Sequence, residues 1–153
     1  KLPPPAGSHV FELTEWGREL EEIVISLGHW GARSPWPPSD APIGTDSMIL
    51  ALRSRFDPSG ARGLRAVYDL RLGEDHFRIE VADDEIEAAR GDADPADATI
   101  DTDPDTLGAV LWGGRSLSGA LRSGRMAIEG DMAAVERFLR LFPMPEAAAV
   151  PSL

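Results

Sequence analysis

Leu64-Arg65-Ala66-Val67-Tyr68-Asp69-Leu70-Arg71-Leu72 runs through Gly73-Glu74-Asp75 into His76-Phe77-Arg78-Ile79-Glu80-Val81. In the first run Leu64, Ala66, Tyr68, Leu70 and Leu72 alternate with Arg65, Val67, Asp69 and Arg71, which is the two-residue period of a half-buried strand. In the second run Phe77, Ile79 and Val81 alternate with Arg78 and Glu80. Gly73-Glu74-Asp75 is a turn, so the two runs predict an antiparallel hairpin with one apolar face. A hairpin cannot shield that face alone, and helices from the flanking sequence must cover it.

Those helices are readable on both sides. Upstream, Met48, Leu52 and Phe56 recur at helical spacing, and Asp57-Pro58-Ser59-Gly60 closes the segment. Downstream, a short strand at Ala98 to Asp101 leads through Thr102-Asp103-Pro104 into a helix carrying Leu107, Val110 and Leu111. Pro104 suits a first helical turn, where its missing N–H leaves no bond unmade. A second short helix with Leu117 and Leu121 ends at Gly124, and Met126 to Gly130 reads as a strand. The last helix places Val135, Phe138, Leu139 and Phe142 on one face and stops before Pro143. The acidic run Asp83, Asp84, Glu85, Glu87, Asp92, Asp94, Asp97, Asp101, Asp103 and Asp105 has no EF-hand spacing and reads as a solvated edge.

Ala98-Thr99-Ile100-Asp101-Thr102-Asp103-Pro104-Asp105-Thr106-Leu107, then Leu117 through Arg125, and above all Gly124-Arg125-Met126-Ala127-Ile128-Glu129-Gly130-Asp131, carry a resemblance to the sterol carrier protein type two family. The last segment is similar to that family's Gly-Lys-hydrophobic-x-hydrophobic-x-Gly-Asp strand, and the likeness spans roughly residues 46 to 145. The resemblance implies an α+β domain, a curved and mainly antiparallel sheet covered by helices, with an apolar tunnel between the two layers. Its lining would come from Tyr68, Leu70, Phe77, Ile79, Leu107, Leu111, Trp112, Leu117, Leu121, Met126, Ile128, Phe138 and Phe142. Apolar periodicity alone fits a filled core equally well. Within the set, Trp112 before Gly113-Gly114 is placed to close a mouth, and Tyr68 offers one hydroxyl on an apolar face.

The N-terminal part reads differently. His9-Val10-Phe11-Glu12-Leu13-Thr14-Glu15-Trp16-Gly17-Arg18-Glu19-Leu20 is a short extended run followed by a helix that Thr14 can cap. Trp16, Leu20, Ile23, Leu27 and Trp30 then recur at spacings of four and three, an apolar seam that either packs on its own domain or pairs with a second copy. This segment, with Leu27-Gly28-His29-Trp30-Gly31, resembles the last wing strand and closing helix of HxlR-type winged-helix transcriptional regulators. The resemblance implies homodimers and a DNA-reading helix upstream of Lys1. Ser34 to Thr45 is proline-dense and reads as a linker, in which Trp36 suits docking on a neighbouring domain. The expected organisation is therefore 1–33 wing strand and closing helix, 34–45 linker, 46–145 ligand-binding domain and 146–153 tail.

Composition sets limits on function. The chain has 153 residues and a formal net charge of -11, with 26 acidic and 15 basic side chains. That sign opposes binding to phosphate backbones, so this chain alone is expected to be a poor DNA binder. No cysteine is present, no apolar stretch approaches the roughly 18 residues that span a bilayer, and no secretory leader is recognisable, so the cytoplasm and no membrane association are expected. His9, His29 and His76 have no partners at ligand spacing, and Gly114-Arg115-Ser116-Leu117-Ser118-Gly119 matches neither a nucleophile elbow nor a phosphate loop. No metal, cofactor or catalytic residue is expected.

Two function classes follow. In the first, the chain is the C-terminal sensing portion of a DNA-binding transcriptional regulator, and an apolar, lipid-like ligand modulates a winged-helix dimer. In the second it is a lipid carrier or binding module with no transcriptional role. A purely structural dimerisation domain is a further alternative.

Overall fold

The structure, a computed structural model, describes residues 13–34 and 41–149. The expected wing strand at Val10 to Leu13, the docking of Trp36 and the end of the tail fall wholly or largely outside those residues. The order of elements is α1 (Glu15–Gly31), α2 (Thr45–Arg55), β1 (Ala66–Leu72), β2 (Asp75–Ala82), β3 (Glu85–Arg90), β4 (Ala98–Thr102), α3 (Pro104–Leu111), α4 (Leu117–Arg122), β5 (Met126–Gly130) and α5 (Met132–Arg140). It is an α+β fold.

One five-stranded sheet runs β3-β2-β1-β4-β5, antiparallel throughout except for the parallel β1–β4 pair. The register sets side chains on the helix-covered face in rows. Phe77, Leu70, Ile100 and Ile128 lie abreast, and Ala88, Ile79, Tyr68, Ala98 and Gly130 form the next row. Small residues therefore flank Ile79 and Tyr68 at the centre of the sheet. Gly130, at φ +91, comes so close to β4 that an added Cβ would lie 2.8 Å from the carbonyl oxygen of Asp97.

Short-range chemistry fixes the helix starts. Asp103 accepts from the Thr106 amide at 2.7 Å, with Pro104 in the first turn of α3. Ser116 accepts from the Gly119 amide and Asp131 from the Ala133 amide, capping α4 and α5. Thr14 accepts from the Gly17 amide at 3.1 Å, as the sequence predicts for α1.

Two expectations are corrected here. The acidic run is not a single solvated edge, since Glu85–Arg90 is the edge strand β3 and Asp83 and Asp84, at φ 53 and 64, form a tight hairpin turn before it. Ile86 and Ala88 are its only inward apolar side chains, too few to show an alternation beside outward Glu85 and Glu87. Asp97 accepts from the Val67 amide at 2.8 Å, and Asp92 pairs with His76, so other members of the run also hold structure. Asp69, on the face of β1 expected to be polar, is 2% exposed. Arg71 donates to it at 2.8 Å and the Ala93 amide at 3.3 Å, because the chain after β3 folds over that face.

Burial of Asp69 is the second correction, and the seam on α1 bears on the two packings its spacing allowed. Trp16, Leu20, Ile23 and Trp30 stay open, with Trp16 81% and Trp30 72% exposed, and Leu27 lies at the rim of the α1–α2 contact. A different side of α1 rests on α2. His29 Nδ1 contacts the Ser54 carbonyl oxygen at 3.1 Å, Arg53 pairs with Glu21, and Gly28 lets the helices approach, since a Cβ there would lie 3.1 Å from the Ser54 Cβ.

Candidate ligand-binding site

All thirteen side chains expected to line a tunnel join one apolar cluster between the sheet and the helices. Tyr68, Leu70, Phe77, Ile79, Leu107, Met126, Phe138 and Phe142 are buried, while Leu111, Trp112, Leu117, Leu121 and Ile128 are half-buried at its margin. The arrangement follows from the rows on the sheet. Tyr68 and Leu70 stand on the central strand, and α5 lays Phe138 across them, with ring centroids of Tyr68 and Phe138 4.8 Å apart. Phe142, just past α5, continues the stack at 4.9 Å from Phe138. In this packing the aromatic rings touch one another. Met48 and Leu52 of α2 and Ile100 of β4 belong to the same cluster, although the sequence reading did not include them in the lining. The helical spacing of Met48 and Leu52 was the available signal.

Buried polar groups elsewhere have local partners. The Ser54 hydroxyl donates to the Ala51 carbonyl, the Thr102 hydroxyl to the Arg125 carbonyl, and the Thr106 hydroxyl to Asp103. Burial pushes the Asp103 carboxyl up, but the side-chain and backbone hydrogen bonds from Thr106 outweigh it, and the group sits below the ordinary carboxylate value. Among the described residues two buried side-chain atoms lack a hydrogen bond, the Tyr68 hydroxyl oxygen and Arg55 Nε.

The buried Tyr68 hydroxyl lies at the edge of the apolar cluster, within reach of the charges of Arg137, Asp97 and Asp131. Burial raises its pKa, and Arg137, near enough to act on it, opposes that rise without making a hydrogen bond of normal geometry. Trp112 is not a free door. Its Nε1–H donates to the Phe142 carbonyl at 3.0 Å and the Arg55 guanidinium lies 4.0 Å over its ring, so the margin of the cluster is tied between α2, α3 and the end of α5. A large apolar interior with one unsatisfied hydroxyl suits the recognition of an apolar molecule bearing one hydrogen-bonding group.

Comparison with known proteins agrees with this geometry. The family model described as "SCP-2 sterol transfer family" matches residues 50–143. No curated protein matches the chain. Among solved structures, the stereoselective inverting sec-alkylsulfatase Pisa1 from Pseudomonas sp. is similar with a TM-score of 0.61 at 18% identity, over 72% of this chain. The chain spans only 17% of that protein's length. Sterol carrier protein 2 like 2 from Aedes aegypti is similar with a TM-score of 0.50 at 17% identity, covering 63% of this chain and 94% of that one. Its palmitated form gives 0.52 at 16% identity, covering 64% and 93%. At these identities the likenesses show a shared fold.

Proposed function

The chain belongs to the SCP-2 sterol transfer family, and from that premise we propose that residues 46–145 bind an apolar, lipid-like small molecule between the sheet and its helices. The observation that carries the reading is the buried, unpartnered Tyr68 hydroxyl. A buried hydroxyl without a partner costs about 1–3 kcal/mol, and a ligand that supplies the missing bond recovers that cost. The relative of known structure described as palmitated gives the ligand class. Entry requires Phe138, which packs on both Tyr68 and Phe142, to part from Tyr68. The ligand thus selects an opened arrangement of α5. No catalytic step is part of this function.

The experiment is uptake of a fluorescent fatty acid by the chain and by Ala120→Phe, which adds bulk at a fully buried position in the cluster. Uptake by the parent chain that the variant loses supports the reading. No uptake by either chain, with a stability loss of about 1–3 kcal/mol from overpacking, refutes it.

The seam on α1 favours a second level of organisation, a homodimer. With ~200 Å² per tryptophan and ~100 Å² of apolar surface per aliphatic chain, the exposed fractions of Leu13, Trp16, Leu20, Ile23 and Trp30 amount to roughly 490 Å². Two copies would bury on the order of 1,000 Å², about what the smallest specific interfaces need. This dimer is where the sensor reading attaches. In a transcriptional regulator, DNA contact would come from residues beyond this acidic chain, and ligand binding would act through α2 on the paired α1 helices. Sequence-specific DNA binding by this chain alone would refute that division of labour.

A further inference from the structure

A groove lies outside the interior. Where α1 rests on α2 the two helices leave a groove of about 440 Å³, within the size range of small-molecule sites. Val24 and Leu27 of α1 and Leu50 and Ala51 of α2 give it apolar walls, and it extends along α2 from Ser47 to Arg55. Eight residues of helix rise about 12 Å, so the groove is elongated. Arg55 is the one charged side chain in its lining.

Arg55 is one of several arginines outside the described ion pairs, and its buried Nε sets it apart from them. Arg53, Arg65, Arg71, Arg78, Arg90 and Arg137 all face a carboxylate, whereas Arg55 has no acidic partner among the described residues, in a chain with a net charge of -11. One face of its guanidinium is stacked on Trp112, and its Nε is buried without a hydrogen bond. Burial lowers its pKa, as expected for a cation withdrawn from water without a counter-ion. The Nε is closed off, so an anion can meet this guanidinium only through its Nη groups.

We propose that the α1–α2 groove binds a long-chain carboxylate, with its alkyl chain along Val24, Leu27, Leu50 and Ala51 and its head group on the Nη groups of Arg55. The site is separate from the interior around Tyr68 and does not depend on the interior opening. Stacking on Trp112 holds the guanidinium in place. The apolar walls select a chain over a short acid, and the cation selects an anionic head over a neutral or positive one.

Isothermal titration of the intact chain with laurate, dodecanol and dodecylammonium tests this, using Arg55→Gln, Arg55→Lys, Ala51→Phe and the interior variant Ala120→Phe. Melting curves confirm that each variant is folded. Laurate should bind at least tenfold more tightly than dodecylammonium. Arg55→Gln should weaken laurate at least tenfold while leaving dodecanol within twofold, Arg55→Lys should fall between the two, and Ala51→Phe should abolish laurate binding at this site. Equal binding of laurate and dodecylammonium, or laurate binding that survives both Arg55→Gln and Ala51→Phe, overturns the proposal. The variants separate it from the function proposed above. Loss by Ala120→Phe alone leaves only the interior site, and loss by Ala51→Phe alone leaves only the groove. Two binding events, one removed by each variant, establish both.

Discussion

Tyr68→Phe removes one oxygen atom and tests whether the interior is built for a guest. The Tyr68 side chain is fully buried, its hydroxyl makes no hydrogen bond, and its ring packs 4.8 Å from Phe138, a contact that phenylalanine keeps. Leaving a buried hydroxyl unsatisfied costs about 1–3 kcal/mol. Arg137 offsets part of that through its charge, so the lower end applies and the variant should gain about 1 kcal/mol. For a chain of this length that corresponds to a rise in Tm of roughly 2–4 °C. Urea unfolding with an unchanged slope and a higher midpoint measures it. In the same variant, affinity for a long-chain alcohol should drop about fivefold, the worth of one neutral hydrogen bond. Affinity for a hydrocarbon of equal length should hold. A native hydroxyl that already has a partner predicts the opposite sign, and destabilisation of about 1 kcal/mol or more would refute the reasoning.

Other expectations follow from single contacts. Leu20→Asp and Ile23→Asp lie on the exposed seam of α1, so each should leave melting within about 0.5 kcal/mol of the parent chain yet shift a sedimenting dimer to monomer; a parent chain that sediments as a monomer at all concentrations rejects the interface. Trp112→Phe loses the bond to the Phe142 carbonyl and weakens the stack under Arg55, and chemical denaturation should show a loss of about 1–2 kcal/mol. Gly130→Ala forces a Cβ against the Asp97 carbonyl at positive φ and should cost more than about 1 kcal/mol. The Asp103 carboxylate has a lowered folded-state pKa, so its contribution is present above the ordinary carboxylate range near 4 and is lost as pH falls through the folded value. Asp103→Asn keeps an oxygen to cap α3 but does not titrate there, and its stability should fall less steeply below about pH 4 than that of the parent chain.

How far the sequence carries differs between elements for physical reasons. The β1–β2 hairpin and the strands and helices after residue 97 were legible because each has a clean apolar period and a local stop or cap, such as Asp103-Pro104 or Gly124. Edge strand β3 was not, because this rim strand only half-buries Ile86 and Ala88 and its charged residues resemble a solvated run. Asp69 shows the limit of alternation as a guide to polarity. Its face of the sheet is set by period, but its burial is set by residues after Arg90 folding across that face.

The apolar members of the candidate site were legible as a set, since burial and site lining draw on the same residues. Their arrangement was not. Whether thirteen apolar side chains enclose space or fill it depends on ring-to-ring distances between strand β1 and helix α5, which no spacing in the sequence encodes. The two unsatisfied atoms illustrate the difference. Tyr68 stood out in the sequence as a lone hydroxyl on an apolar strand face, and the structure leaves that hydroxyl unpaired. Arg55 carried no such mark, because Ser54-Arg55-Phe56 reads as an ordinary helix end with a cation favourably placed there. It becomes distinctive only when α1 covers one side of α2 and Trp112, more than fifty residues later, takes up one face of the guanidinium. Charge in a sequence reveals which groups need partners; only the fold reveals which of them were left without one, and a ligand site is built from the latter.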